Sequence, residues 1–182
     1  DVFDECKRVL RKDGSCFVVI GDSYSKSHKD DTWDRPKQLL LVPERFAIGM
    51  QYRGWILRNK ICWNKLSSAV QPAKDRLSPT WESIFFFVKT SNYYFDPYQI
   101  GEPLKENTIQ RALYDLNRDE SHVKDQTRAN IRKRSAEKFL SGERALAFPR
   151  DVWNIAVGGT RGDLIHTASY PTDLVRRILK CA

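Results

Sequence analysis

A layered α/β domain with a sheet at its centre is the fold class this sequence predicts, and three stretches predict it. Ile84-Phe85-Phe86-Phe87-Val88 is apolar at both parities and rich in aromatic and β-branched residues, as a strand covered on both faces is. In the run GWILRNKICWNK, residues 54–65, Trp55, Leu57, Asn59, Ile61 and Trp63 share one parity against Ile56, Arg58, Lys60 and Cys62 on the other. That alternation predicts a second strand with unequal faces. Cys16-Phe17-Val18-Val19-Ile20 is a third apolar run. Helical patterns flank these strands, so ligands are expected at the strand ends.

Each element follows from its local sequence. Val2, Phe3, Cys6, Val9 and Leu10 recur at helical spacing, and Lys12-Asp13-Gly14 supplies a basic last turn and a glycine stop. The strand at residues 16–20 ends at Gly21-Asp22. Residues 23–35, SYSKSHKDDTWDR, are polar and aperiodic, a loop of functional length leaving the carboxyl end of that strand. Residues 36–53 read as a helix around Leu39, Leu40, Val42, Phe46, Ile48, Gly49 and Met50. Pro43 lies either in its first turn or at a kink, and Gly54 ends it. A second strand-end loop, residues 66–79, carries Lys74 and Arg76. Ser91-Asn92 reads as a tight turn into Tyr93-Tyr94-Phe95, a short hairpin partner. The chain closes with a strand at Val152-Trp153-Asn154-Ile155, a glycine loop at 158–162, and a helix over 172–179. That helix has Thr172 as N-cap and Leu174, Val175, Ile178 and Leu179 as its buried side.

A length of 182 residues with 41% hydrophobic and 12% aromatic content suffices for one substantial core. The net charge of +8, from 31 basic and 23 acidic residues, favours a polyanionic partner over a cationic one. That charge is uneven. Residues 104–150 hold 11 Lys or Arg against 7 Asp or Glu, and residues 124–138 hold six against two with little apolar content. This segment reads as a basic helix or arm inserted into the fold. Cys6, Cys16, Cys62 and Cys181 form no C-x-x-C pair and are expected to be reduced core thiols. No apolar run approaches the roughly 18 residues of a membrane span, so a cytoplasmic location is expected. The chain opens inside a helical pattern without methionine and stops just after another helix, as a piece cut from something longer would.

The series RVLRKDGSCFVVIGDSY, GWILRNKICWNK, WESIFFFVKTSNYYFD and VWNI with HTASYPTDLVRRIL resembles DNA methyltransferases acting on the exocyclic amine of cytosine (N4) or adenine (N6), of restriction-modification type. Four segments in the family's order cover most of the chain. The resemblance implies a Rossmann-like, S-adenosylmethionine-dependent methyltransferase sheet with flanking helices, an inserted basic region, and an incomplete set of family motifs. It divides the chain into the central part of the catalytic domain (1–100), a target-recognition insert (101–150) and a cofactor-proximal return (151–182). Double-stranded DNA is the implied partner, with a cognate restriction endonuclease in the same system; no metal is implied. The family's Pro-Pro-Tyr catalytic motif and its glycine-rich cofactor loop do not occur in the chain, so the chain alone is expected to bind cofactor poorly and methylate nothing.

Transfer to an exocyclic amine is a direct displacement and needs no covalent nucleophile. Cytosine C5 methylation would need a nucleophilic cysteine, usually after proline in that family, and no Pro-Cys pair occurs here. By resemblance, His166, Ser169, Tyr170 and Pro171 match the segment that packs on the cofactor's amino-acid end, with Tyr170 in place of the usual Phe. Without it they are a helix-entry turn with a surface histidine. Asp22 stands where a pocket residue would, or is an ordinary strand-end cap or Asx-turn residue. Trp63 and Lys65 follow the family's W-x-K pattern near the flipped-base pocket; the plain alternatives are core and surface. Glu82 keeps the family's glutamate, whereas Trp81 stands where histidine is common. Lys74, Arg76, Arg128, Arg132 and Arg134 are the candidates for phosphate contacts, with solvated surface as the alternative. Two other functions fit parts of the pattern: a nonenzymatic DNA-binding module derived from the same fold, and a methyltransferase acting on RNA or a small molecule.

Overall fold

The computed structural model describes residues 1–26, 33–68, 71–118, 126–142, 146–158 and 170–182. In chain order the elements are α1 (Val2–Val9), β1 (Ser15–Ile20), α2 (Val42–Tyr52), β2 (Ile56–Asn64), β3 (Trp81–Val88), β4 (Glu102–Pro103), α3 (Glu106–Asn117), α4 (Gln126–Leu140), β5 (Leu146–Ala147), β6 (Val152–Asn154) and α5 (Thr172–Cys181). They fall into two units, Asp1–Asp96 with Arg150–Ala182, and Pro97–Pro149.

The first unit is built on a four-stranded sheet of order β1-β3-β2-β6. β3, the most apolar strand, takes the inner position, and Ile84 through Val88 are buried completely. It runs antiparallel to both β1 and β2, while β2 and β6 are parallel. The carboxyl ends of β1, β2 and β6 therefore share one edge of the sheet with the start of β3. Phe85 and Phe87 face α1 and α2 in a core with Ala47, Met50 and Trp55, joined by Phe3, Cys6, Phe46, Val18 and Ile20. Phe86 points the other way, stacked on Phe17 at 4.6 Å and edge-on to Tyr93 at 5.7 Å. α5 lies on this second face, where Arg177 sits 4.9 Å from the Trp153 ring.

β2 departs from strict alternation. Leu57 pairs with Phe87 but Asn59 pairs with Phe86, which makes Arg58 an extra residue in the ladder. Such a bulge flips every later side chain to the opposite face. Leu57 thus packs toward α2, whereas Ile61 and Trp63 belong to the α5 face, opposite Ile84 and Glu82. The single apolar face expected from parity is two half-faces.

Three expected elements differ. The helix expected over residues 36–53 begins only at Val42, because Leu41 takes a left-handed conformation (φ 53°) and the chain before it pairs with residues 23–25, just past β1. The Leu40 amide donates to Ser23 O and the Ser25 amide to Gln38 O, so these groups are satisfied outside a helix. Pro43 stands in the first turn, and Gly54, at φ 76°, follows the last. Tyr93 to Phe95 form no strand: the Tyr94 amide donates to Asp13 O, and the rings of Tyr93 and Phe95 pack on Phe86. Thr172 is the first helical residue of α5, with Pro171 at the N-cap and no side-chain cap.

In the second unit, α3 and α4 pack on each other, and the small residues Ala112, Ala129 and Ala136 are buried. The two-residue strands β4 and β5 tie its ends together. A side chain on Gly101 would place its Cβ 2.8 Å from that of Leu146, so only glycine fits that approach.

Candidate functional site

The sequence candidates of the first unit converge on the carboxyl edge. Asp22 follows β1, Trp63 is the last residue but one of β2 with Lys65 just beyond the strand, and Tyr170 enters α5 with its ring 6.4 Å from Trp63. Pro171 is buried and caps α5. His166 and Ser169 lie outside the described residues.

Trp63 is 4% exposed, and its Nε1 donates to Ile155 O at 2.9 Å. Parallel pairing sets Trp63 beside Trp153 and Asn64 beside Asn154, and the Asn64 amide donates to Asn154 Oδ1 at 2.8 Å. The Lys65 ammonium pairs with the Glu82 carboxylate and lies 5.1 Å from the Trp63 ring centre. Glu82 stands opposite Trp63 in the ladder and next to Gly21, where an added Cβ would be 3.4 Å from its Oε1. No local pattern signals this meeting, because Lys65 and Glu82 stand 17 residues apart and meet only once β2 pairs with β3.

Asp22 joins strand to helix. Its Oδ1 accepts from the Ser23 amide at 2.8 Å and from the Val42 amide at 3.0 Å, so it caps α2 from a distance of 20 residues in sequence. Asp22→Ala is expected to cost about 1 kcal/mol of stability by removing this cap, and Asp22→Asn much less. Thermal denaturation checks this. If Asp22 also orients the acceptor amine, the Asn variant of the full-length protein keeps its stability yet loses activity.

The two strand-end loops are tied together. Lys37 bonds Asp75 at 2.6 Å, and the Arg76 guanidinium stacks 3.8 Å over Tyr24 while donating to Gln71 Oε1. The hydrogen bond from Lys37 holds the Asp75 carboxyl below its usual value and raises the Lys37 ammonium above its own. Lys74, between these contacts in the chain, is exposed.

The four cysteines are unpaired, and burial pushes the Cys16, Cys62 and Cys181 thiols above their usual value. Those three are poor nucleophiles at neutral pH. Among the described residues no group of acidic, histidine and cysteine side chains could hold a metal ion. No described helix is long and apolar enough to cross a membrane.

In the second unit, Arg128 and Arg132 lie one turn apart on a flank of α4, and Arg132 lines a cleft of about 260 Å³ with Thr108, Arg111, Asp115 and Ser135. Arg134 lies on the outward face with Ile131, which is 63% exposed.

The first unit is an α/β fold whose mixed sheet carries polar and aromatic residues at one carboxyl edge. The PvuII DNA methyltransferase, specific for cytosine N4, has that fold: it superimposes with a TM-score of 0.61 at 16% identity over 99% of this chain and 52% of its own. The N6/N4 methyltransferase family model, described as DNA methylase, matches residues 1–182, and the chain belongs to that family. Among curated relatives, the type II methyltransferase M.SfiI of Streptomyces fimbriatus is 39% identical over 109 residues, 56% of this chain and 26% of that protein. M.Cfr9I of Citrobacter freundii is 29% identical over 194 aligned residues, 96% of this chain and 52% of that protein. The chain thus spans from about a quarter to about half the length of these relatives.

Proposed function

We propose that this chain is the central part of a site-specific DNA methyltransferase that moves a methyl group from S-adenosylmethionine to the exocyclic amine of cytosine (N4) or adenine (N6) in duplex DNA. The observation that carries this is the convergence of Asp22, Trp63, Lys65 and Tyr170 at one carboxyl edge in a chain matched throughout by the DNA methylase family model.

The residues present fit the cofactor. A half-exposed aromatic side chain, Tyr170, stands at the entrance to α5 beside a buried tryptophan, and the nearby ammonium of Lys65 is already neutralised. His166, Ser169, Tyr170 and Pro171 would hold its amino-acid end. When bound, the cofactor supplies a methyl group that the amine nitrogen takes as the carbon–sulfur bond breaks, sulfur leaving as a neutral thioether and the nitrogen losing one proton. Asp22 is the acceptor that orients the amine, and Trp63 walls the pocket and excludes water. The target amine is buried in a duplex, so the base must be flipped out at a cost of a few kcal/mol, offset by phosphate contacts from Lys74, Arg76, Arg128, Arg132 and Arg134. In this account residues 101–150 carry target recognition.

The same reading holds that residues 1–182 alone are inactive. Among the described residues β1 is an edge strand, although its sequence is that of an inner one, and a groove of about 540 Å³ runs between it and α5. An apolar edge left open is a strand position awaiting a neighbour, which supports a sheet extended by the rest of the full-length protein.

The test is transfer of labelled methyl from S-adenosylmethionine to mixed-sequence duplex DNA, comparing this chain with the full-length product of its gene. Transfer by the full-length protein only, mapped to an exocyclic amine, is the expected result. Transfer by the chain alone would refute the inactive-fragment proposal. No transfer by either, with salt-sensitive DNA binding retained, would replace the enzyme by a DNA-binding module.

A further inference from the structure

Glu82 enters the function proposed above only as the group that neutralises Lys65, and the sheet brings three segments together at it. The β3 ladder sets it opposite Trp63 on β2, and Gly21, just past the end of β1, lies within van der Waals reach of its carboxylate. Residues directly opposite in a sheet share a face, so Glu82 and Trp63 line the same side of the carboxyl edge. The Glu82 carboxylate holds the Lys65 ammonium over the Trp63 ring, and the two side chains are only 27% and 21% exposed. A charge in such a place acts over a longer range than one in open water, because less solvent screens it.

We propose that Glu82 is the charge-balancing residue of the cofactor site, cancelling Lys65 so that this edge accepts a ligand with a permanent positive charge. The inference rests on the S-adenosylmethionine reading given above. The sulfonium of S-adenosylmethionine carries one positive charge at sulfur. S-adenosylhomocysteine lacks the methyl group and is neutral at that atom. An unbalanced ammonium at residue 65 penalises the first ligand and spares the second, and an unbalanced carboxylate at residue 82 does the reverse. A pair that served stability alone would, once broken from either side, weaken both ligands in the same direction.

The experiment is calorimetric titration of both ligands into the full-length protein, read as the ratio of the S-adenosylmethionine Kd to the S-adenosylhomocysteine Kd. Glu82→Gln is expected to raise this ratio about five-fold, Lys65→Met to lower it by a similar factor, and the double variant to return it near the wild-type value. Ratios that stay put, or that move the same way in both single variants, overturn the proposal. If Glu82→Gln does not fold, the direction of the Lys65→Met shift decides alone. A wild-type protein that binds neither ligand removes the methyltransferase reading itself, and with it this proposal. That result differs from one in which both ligands bind and the ratio does not move.

Discussion

Trp63→Ala is expected to be the most damaging single substitution in the first unit. The indole is 4% exposed, lies against Tyr170 and beneath the Lys65 ammonium, and bonds the Ile155 carbonyl at 2.9 Å. Truncation would open a cavity where β2, β6 and the start of α5 come together. Removal of so large a buried ring costs about 3–5 kcal/mol, a large share of the roughly 5–15 kcal/mol that holds a domain folded. Trp63→Phe keeps a ring but strands the Ile155 carbonyl, for a loss of about 1–3 kcal/mol. Denaturant titration of the full-length protein should therefore rank wild type above Phe and Phe above Ala. An alanine variant within about 1 kcal/mol of wild type would remove Trp63 from the core and, with it, the wall of the proposed pocket.

Replacing Arg128, Arg132 and Arg134 together with alanine is expected to have the largest effect on DNA binding while leaving the sheet unit intact. All three are on α4, in a unit that packs on itself. Removing one arginine that neutralises a phosphate should lower the slope of log affinity against log salt by about 0.9, so the triple variant should lower its magnitude by roughly 2 to 3. At moderate salt the affinity for duplex DNA should fall about 10- to 100-fold, measured by fluorescence anisotropy over a salt series. The arginines do not form one stripe: Arg128 and Arg132 share a flank, and Arg134 points outward. Comparing the Arg128/Arg132 double variant with Arg134→Ala shows which face meets the phosphates. A slope unchanged in the triple variant would assign the cluster to solvated surface.

Much of the fold could be read without coordinates, for reasons visible in particular residues. Ile84 through Val88 had only one place to go, since a strand apolar on both faces must be covered on both, and β3 is the inner strand between β1 and β2. The helix α1 was legible from its apolar spacing, but its end was not: it stops at Val9 with Lys7 and Arg8 in the last turn, ahead of the Lys12-Asp13-Gly14 stop that the sequence suggests. Where the expectation missed, a distant partner had outweighed the local pattern. Leu39 and Leu40 fit a helical face, but Tyr24 and Ser23, just past β1, pair with them instead. Tyr93 to Phe95 fit a strand, but the Tyr94 amide is taken by Asp13 O and the rings of Tyr93 and Phe95 pack on Phe86.

The candidate site divides along the same line. The sequence by itself determined the family, through four segments in a fixed order, and named Asp22, Trp63, Lys65 and Tyr170 from short motifs. The tertiary structure alone decided what those residues do to one another. The bulge at Arg58 chose the face on which Trp63 stands, Asp22 found its second partner at Val42, and Lys65 met Glu82 across the β2–β3 ladder. The physical reason is range. Periodicity and capping are fixed by neighbours within one or two turns, whereas register, bulges and ion pairs between strands depend on residues brought together only after the sheet has formed.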